Sequence, residues 1–136
     1  MNFGRFEVLE MRAEKPTILC IDDDKIGVYL RKAVLQSAGY SVLMASSGRE
    51  AIEIIESEPR IDLVIVDYVM PGMDGTMVAA AIRTSRPKIP IVMLTAYVAV
   101  PENAQNWVDH IIRKGQEPAV FLQEVAKLLN QKRPAA

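Results

Sequence analysis

Short, continuous apolar runs alternate with stretches of helical period along most of the chain. Thr17–Ile21 is β-branched and apolar and reads as a buried strand. Lys25–Ala38 then sets Ile26, Leu30, Ala33, Val34 and Ala38 at helical spacing and stops at Gly39, a residue suited to the backbone turn past a helix end. Tyr40–Ala45 is a second strand. A helix opens at Ser47-Gly48-Arg49-Glu50, where Ser47 and Glu50 have capping-box spacing, and it carries Ala51, Ile52, Ile54 and Ile55 before Pro59. Leu63–Val66 is a third strand, apolar at every position; a loop with Gly72 and Gly75 leads to a helix over Thr76–Ser85. Ile91–Leu94 is a fourth strand, and Val108–Ile112 a fifth, although Asp109 and His110 interrupt it. Residues 97–107 fit neither period, and Pro101 is expected to open a short helix there. Pro118 begins a last helix with Phe121, Leu122, Val125, Leu128 and Leu129 on its inner face. Residues 1–15 read as a mixed-charge lead-in, 16–131 as one domain and 132–136 as a tail.

Strands that alternate with helices, and that are apolar on both faces, form a parallel sheet covered by helices on both sides. The expected fold is therefore α/β, a doubly wound five-stranded parallel sheet. In such sheets ligands sit beyond the carboxyl ends of the strands, so the residues just after each strand are the ones to inspect. Asp22, Asp23 and Asp24 follow the first strand, Asp67 the third, Thr95 and Ala96 the fourth, and Lys114 the fifth. One rim thus collects carboxylates, a hydroxyl and an ammonium. Crowded carboxylates repel one another and gain from a cation, and oxygen ligands suit a hard ion such as Mg²⁺. A neighbouring lysine can pair with a carboxylate or with a phosphoryl oxygen. Each piece alone has a plainer reading. A run of Asp is commonly a solvated helix N-terminus, Asp67 a turn former before Pro71, Thr95 a strand-end hydroxyl, and Lys114 a surface charge. The conjunction, in order and on one side of the sheet, is what points to chemistry.

Composition changes this picture little. The 136 residues are 50% hydrophobic and 24% charged, which suits one globular domain and not a disordered chain. A net charge of −1 sets up no field that would draw nucleic acid or anionic lipid, so no direct nucleic-acid partner is expected. Charges at Arg5, Glu7, Glu10, Arg12, Glu14 and Lys15 interrupt any signal-peptide core, no apolar run is long enough for a membrane span, and a single cysteine, Cys20, fits a reducing compartment. The expectation is a cytoplasmic protein with no membrane partner.

The motifs resemble those of the receiver domain of two-component response regulators over roughly residues 16–130. Ile18-Leu19-Cys20-Ile21-Asp22-Asp23-Asp24 resembles the family's first strand and acidic pair. The run from Asp62 through Asp67 and Met70-Pro71-Gly72 to Gly75 resembles its phosphoacceptor strand and loop, nearly letter for letter, and Pro90–Ala96 its fourth strand and switch threonine. The resemblance implies the strand order 2-1-3-4-5, which is the flavodoxin-like order. It implies Asp67 as the phosphoacceptor, Asp23 as a direct Mg²⁺ ligand, Asp22 as a ligand of the ion or of its water, and the Val69 backbone carbonyl as a third protein ligand. Thr95 and Lys114 would contact the phosphoryl oxygens, small Ala96 would keep the approach open, and Asp24 carries no firm role. The implied donors are a phosphohistidine on a sensor histidine kinase or histidine phosphotransfer protein, or a small molecule such as acetyl phosphate. The product would control contacts with an output protein, and the chain would be a monomer or a phosphorylation-linked dimer. The resemblance thus implies a signalling module and not an enzyme.

Three departures from the family pattern bear on output. Thr95 and Lys114 lie 19 positions apart, a few fewer than the family usually has, so the fourth helix should be shortened or irregular. Ile111 stands where the family often has an aromatic ring, three residues before the lysine. The family's Lys-Pro is Lys114-Gly115, so the loop is expected either to be trans or to use an unusual glycine geometry. Two alternatives stand beside the leading reading: an atypical receiver that docks partners without phosphorylation, and a Mg²⁺-dependent phosphohydrolase with an aspartyl-phosphate intermediate. The second needs a further acid–base group and a substrate cap, for which the chain leaves no room. A flavodoxin-like electron carrier would need a phosphate-binding loop where Asp22-Asp23-Asp24 would repel the phosphate. His110, the only histidine, lacks the neighbours a phosphotransfer histidine needs.

Overall fold

A computed structural model describes residues 15–96 and 100–131. The expected lead-in (apart from Lys15), residues 97–99 of the stretch that fits neither period, and the tail 132–136 lie outside the described residues. Five strands, β1 (Thr17–Ile21), β2 (Ser41–Ala45), β3 (Leu63–Asp67), β4 (Ile91–Thr95) and β5 (His110–Arg113), form one sheet in the order β2-β1-β3-β4-β5, all pairs parallel. Among the described residues four α-helices accompany them: α1 (Lys25–Ser37), α2 (Gly48–Ser57), α3 (Gly75–Ser85) and α4 (Pro118–Asn130). The expected architecture and strand order are both observed.

Alternation along the strands splits the core in two. Leu19, Ile21, Val64, Val66, Ile91 and Met93 point to one face, where Ala51 and Ile55 of α2 and Val78, Ala79 and Ile82 of α3 cover them. Ile18, Cys20, Leu63, Ile65, Val92, Leu94 and Ile112 point to the other, against Val28 and Leu35 of α1 and Phe121 and Val125 of α4. The three central strands are buried almost throughout, while β2 and β5, at the edges, are only partly so. Each fully buried Leu or Ile contributes about 1.5–3 kcal/mol, so register is strongly specified in the middle of the sheet.

The caps bear out the punctuation read from the sequence. Ser47 accepts from the Glu50 amide at 3.1 Å, while Glu50 returns its bond to the Ser46 amide, one residue earlier than an ideal capping box. Asp24 caps α1 and Asp74 caps α3. Pro118 is the first residue of α4. Corrections concern element ends and one helix face. Asp67 and Thr95 are the last residues of their strands, not the residues after them, and β5 begins two residues later than expected. On α1 the inward residues are Val28 and Leu35; Ile26, Leu30, Ala33 and Ala38 are exposed and only Val34 packs against the core. The apolar stripe was real, but the sheet is met by the adjacent face.

Between β4 and β5 there is no α-helix among the described residues, only a 3₁₀ helix at Glu102–Asn106 preceded by Pro101, as the short spacing implied. Ala104 anchors it in the core, and Trp107 packs beside it. Arg83 of α3 holds its exit, donating to the carbonyls of Ile89 at 2.6 Å and Trp107 at 3.1 Å and to Asp109 at 2.8 Å. Asp109 also accepts from the Ile91 amide at 2.8 Å, which explains a carboxylate at the entrance to β5.

Candidate functional site

Register brings the site together. Ile21 pairs with Val66, so the next residues, Asp22 and Asp67, lie side by side at the carboxyl ends of β1 and β3. Past the last β4–β5 pair, Thr95 with Arg113, the Lys114 amide donates to the Thr95 carbonyl at 2.8 Å and sets Lys114 beside the same rim. Carboxylate oxygens of Asp22, Asp23 and Asp67 all lie within 4.8 Å of one another. Asp22 and Asp67 are 1% and 4% exposed, whereas Asp23 is open to solvent. Two buried carboxylates side by side need compensating charge. Lys114 Nζ supplies part of it, 2.8 Å from Asp67 Oδ1 and 3.9 Å from Asp22 Oδ2.

The remaining residues singled out in the sequence fall as follows. Thr95 is buried at the same rim, Ala96 is exposed beside it, and Val69 is exposed in the loop after β3. Asp24 is committed to capping, accepting from the Ile26 amide at 3.2 Å. His110 pairs with Glu124 of α4 at 2.9 Å, away from the carboxylates. Cys20 is buried, and burial pushes its thiol up to about 12.

Two glycines shape the pocket. A Cβ on Gly75 would stand 2.4 Å from the Asp67 carbonyl oxygen and 2.8 Å from Tyr68 Cα, so only glycine lets α3 start this close to the end of β3. Gly115 takes φ +91°, a left-handed conformation that proline cannot adopt, and the described residues contain no cis peptide. The loop after Lys114 is trans and also uses a positive-φ glycine, so the two geometries expected as alternatives occur together.

One participant went unseen in the sequence. Arg31 of α1 donates through Nη2 to Asp22 Oδ2. Burial pulls the Arg31 guanidinium below its ordinary value, while the nearby Cys20 and Asp67 oppose that shift; an arginine stays charged regardless. The available signal was a spacing, Gly27 and Arg31 one helical turn apart beside an otherwise apolar stripe.

The donor set fits a hard divalent cation: three carboxylates converge, one of them reachable from solvent, with no sulfur or imidazole among them. Comparison with known proteins gives the same direction. The model of the response regulator receiver domain matches residues 18–126. This chain belongs to that family. Receiver domains are signalling domains of two-component systems and interact with sensor histidine kinases. The chain is 34% identical over 127 residues to the transcriptional regulatory protein GlrR of Escherichia coli, covering 90% of this chain and 28% of that protein. It is 35% identical over 129 residues to the sensor histidine kinase GacS of Pseudomonas protegens, covering 89% of this chain and 14% of that protein. It therefore spans well under a third of these relatives. Among solved structures, a CheY-like receiver domain from Methanospirillum hungatei superposes with a TM-score of 0.81 at 28% identity, covering 88% of this chain and 97% of that one. The response regulator TrrA of Thermotoga maritima, solved with Mg²⁺ and BeF, gives 0.78 at 33% identity, covering 83% and 98%.

Proposed function

We propose that this receiver domain accepts a phosphoryl group on Asp67 in a Mg²⁺-dependent reaction, and that the modified state controls protein–protein contacts in the cytoplasm. The observation that carries this reading is the convergence of Asp22, Asp23 and Asp67 within 4.8 Å, with Lys114 Nζ 2.8 Å from Asp67. An Asp67 carboxylate oxygen attacks phosphorus; the new O–P bond forms as the P–N bond to the donor histidine breaks, and the electron pair leaves on the imidazole nitrogen. Phosphoryl transfer needs little beyond positioning and charge stabilisation. Lys114 moves from a carboxylate partner to a phosphoryl partner without leaving the rim, and Thr95 offers its hydroxyl to another oxygen. Asp23, exposed, and Asp67, with the Val69 carbonyl, would hold the ion, and Asp22 would act on it directly or through water. Mg²⁺ when bound would neutralise charge on the phosphoryl oxygens.

A protein donor fits the surface around the pocket. Ile26, Tyr29 and Leu30 on α1, directly after the acidic run, are 75%, 66% and 64% exposed, and Val69 adds a fourth exposed apolar side chain. The three apolar side chains within one turn of α1, beside a charged pocket, suit docking of a helical phosphohistidine partner, a sensor kinase or a phosphotransfer protein. Acetyl phosphate would serve as a small donor. Intact-mass measurement after incubation with acetyl phosphate tests the reading: one phosphoryl group should add with Mg²⁺, none with chelator, and none to Asp67→Asn. Equal labelling of wild type and Asp67→Asn would remove Asp67 from its role.

A further inference from the structure

Arg31 is not placed as a surface cation. Neighbouring Tyr29 and Leu30 face solvent, yet the Arg31 side chain is only 19% exposed. Helical side chains lean toward the preceding turn, and Arg31 follows that direction back along α1 to reach Asp22. Gly27 lies one turn earlier, beside that path. A Cβ on Gly27 would stand 2.9 Å from Asp24 Oδ2, and so would press on the cap, while meeting Arg31 Nη2 at an ordinary contact distance of 3.5 Å. Glycine within a helix costs about 1 kcal/mol relative to alanine, and Gly27 has no positive φ that would call for it. What it spares is the Asp24 cap. Both Asp22 oxygens are then held by protein donors: Oδ1 by the Asp24 amide at 2.9 Å, Oδ2 by Arg31.

We infer that Arg31 is a resident counter-ion of the acidic pocket, which holds Asp22 while no divalent ion is bound and competes with Mg²⁺ for it. The inference rests on the metal-dependent reading above and adds a determinant of metal affinity to it. Three carboxylates set against Arg31 and Lys114 leave the bare pocket with one net negative charge in place of two. A divalent ion entering beside Arg31 would overshoot neutrality. Phosphorylation would replace the single charge of the Asp67 carboxylate with about two negative charges on the phosphoryl group, which brings the pocket to neutrality with the ion, Arg31 and Lys114 all present. Arg31 therefore opposes the metal in the bare pocket and is matched to it in the phosphorylated one. Arg31 also lines a cleft of about 210 Å³ between α1 and the loop after β5, which leaves its guanidinium room to move off Asp22.

The test is a MgCl₂ titration of ¹⁵N-labelled wild type, Arg31→Gln and Asp23→Asn, followed by NMR through the amides of residues 22–24 and 67–69 and through the Arg31 Nε–H signal. Arg31→Gln should reach half-saturation at roughly tenfold lower Mg²⁺ than wild type, the size expected for removing one nearby charge. Asp23→Asn should need far more. In wild type the Arg31 Nε–H signal should shift in step with the amides. Half-saturation of Arg31→Gln at the wild-type concentration or higher overturns the proposal. So does an Arg31 signal that stays fixed while the amides saturate, a result that needs only the wild type and decides the matter should Arg31→Gln fail to fold. If wild type binds in an Asp23-dependent way and Arg31→Gln is unchanged, the counter-ion alone falls. If neither binds, the metal reading falls and takes the counter-ion with it.

Discussion

Cys20 lies in the middle of β1 at 1% exposure, among Ile18, Leu63 and Ile65 on the face covered by α1 and α4. Burial pushes its thiol from an ordinary 9.0 up to about 12, against the pull of Arg31. Between those values the folded protein keeps a proton that the unfolded chain gives up. The stability this provides is complete below pH 9 and is lost as pH rises toward 12. Cys20→Ala should therefore flatten the alkaline limb of the stability curve, read from urea midpoints between pH 8 and 11, whatever it costs in packing at pH 7. A parallel alkaline slope in the two proteins would show that the thiol does not titrate as buried. At this same scale the site was largely legible. Asp22, Asp23, Asp67, Thr95 and Lys114 stand at strand ends, and in a parallel sheet strand ends converge whatever the details of the loops. Arg31 was not legible, because its role depends on which face of α1 meets the sheet. Ile26, Leu30 and Val34 make as good a stripe as Val28 and Leu35, and only the packed sheet selects between them.

Among the elements, those with strong periodicity formed where the pattern put them, with ends shifted by a residue or two. β1 and α4 begin at Thr17 and Pro118 as read, because a β-branched run after Pro16 and a proline that favours the first helical turn leave little choice. The segment before β5 was harder to read, since it owes its shape to partners far away in sequence: Arg83 and Asp109 hold a 3₁₀ helix in place with hydrogen bonds that no local pattern announces. A five-residue 3₁₀ helix with one buried anchor, Ala104, has little of its own to resist opening. Residues 100–107 should show the weakest hydrogen-exchange protection between β1 and α4. Ile111 is partly buried against the core and offers no ring to swing outward. Adding beryllofluoride with Mg²⁺ should then raise protection mainly at 68–75 and 95–100, with little change around Ile111. A response centred on 108–113 with 68–75 silent would mean that the signal leaves the pocket by another route.

For the whole molecule, the acidic pocket is a source of instability that a ligand can relieve. Asp22 and Asp67 are buried at adjacent strand ends, and the native state holds them together with Asp23 while the unfolded chain lets them separate. Arg31 and Lys114 offset part of that repulsion, yet one net negative charge remains to attract a cation. An ion bound only by the native pocket stabilises by mass action, about 1.4 kcal/mol at ten times its Kd, which is a few degrees of melting temperature for a domain of this size. Millimolar Mg²⁺ should therefore raise the melting temperature of the wild type by a few degrees in a saturable way. Asp23→Ala should lose most of that rise, because Asp23 is the carboxylate open to solvent and unclaimed by Arg31 or Lys114. The same variant removes one of three crowded negative charges, so its metal-free melting temperature should match or exceed that of the wild type. The two effects together separate a binding site from general ionic screening, since screening by salt would raise both proteins alike. Equal shifts in wild type and Asp23→Ala at matched ionic strength would mean that the carboxylates of this rim do not act together on an ion.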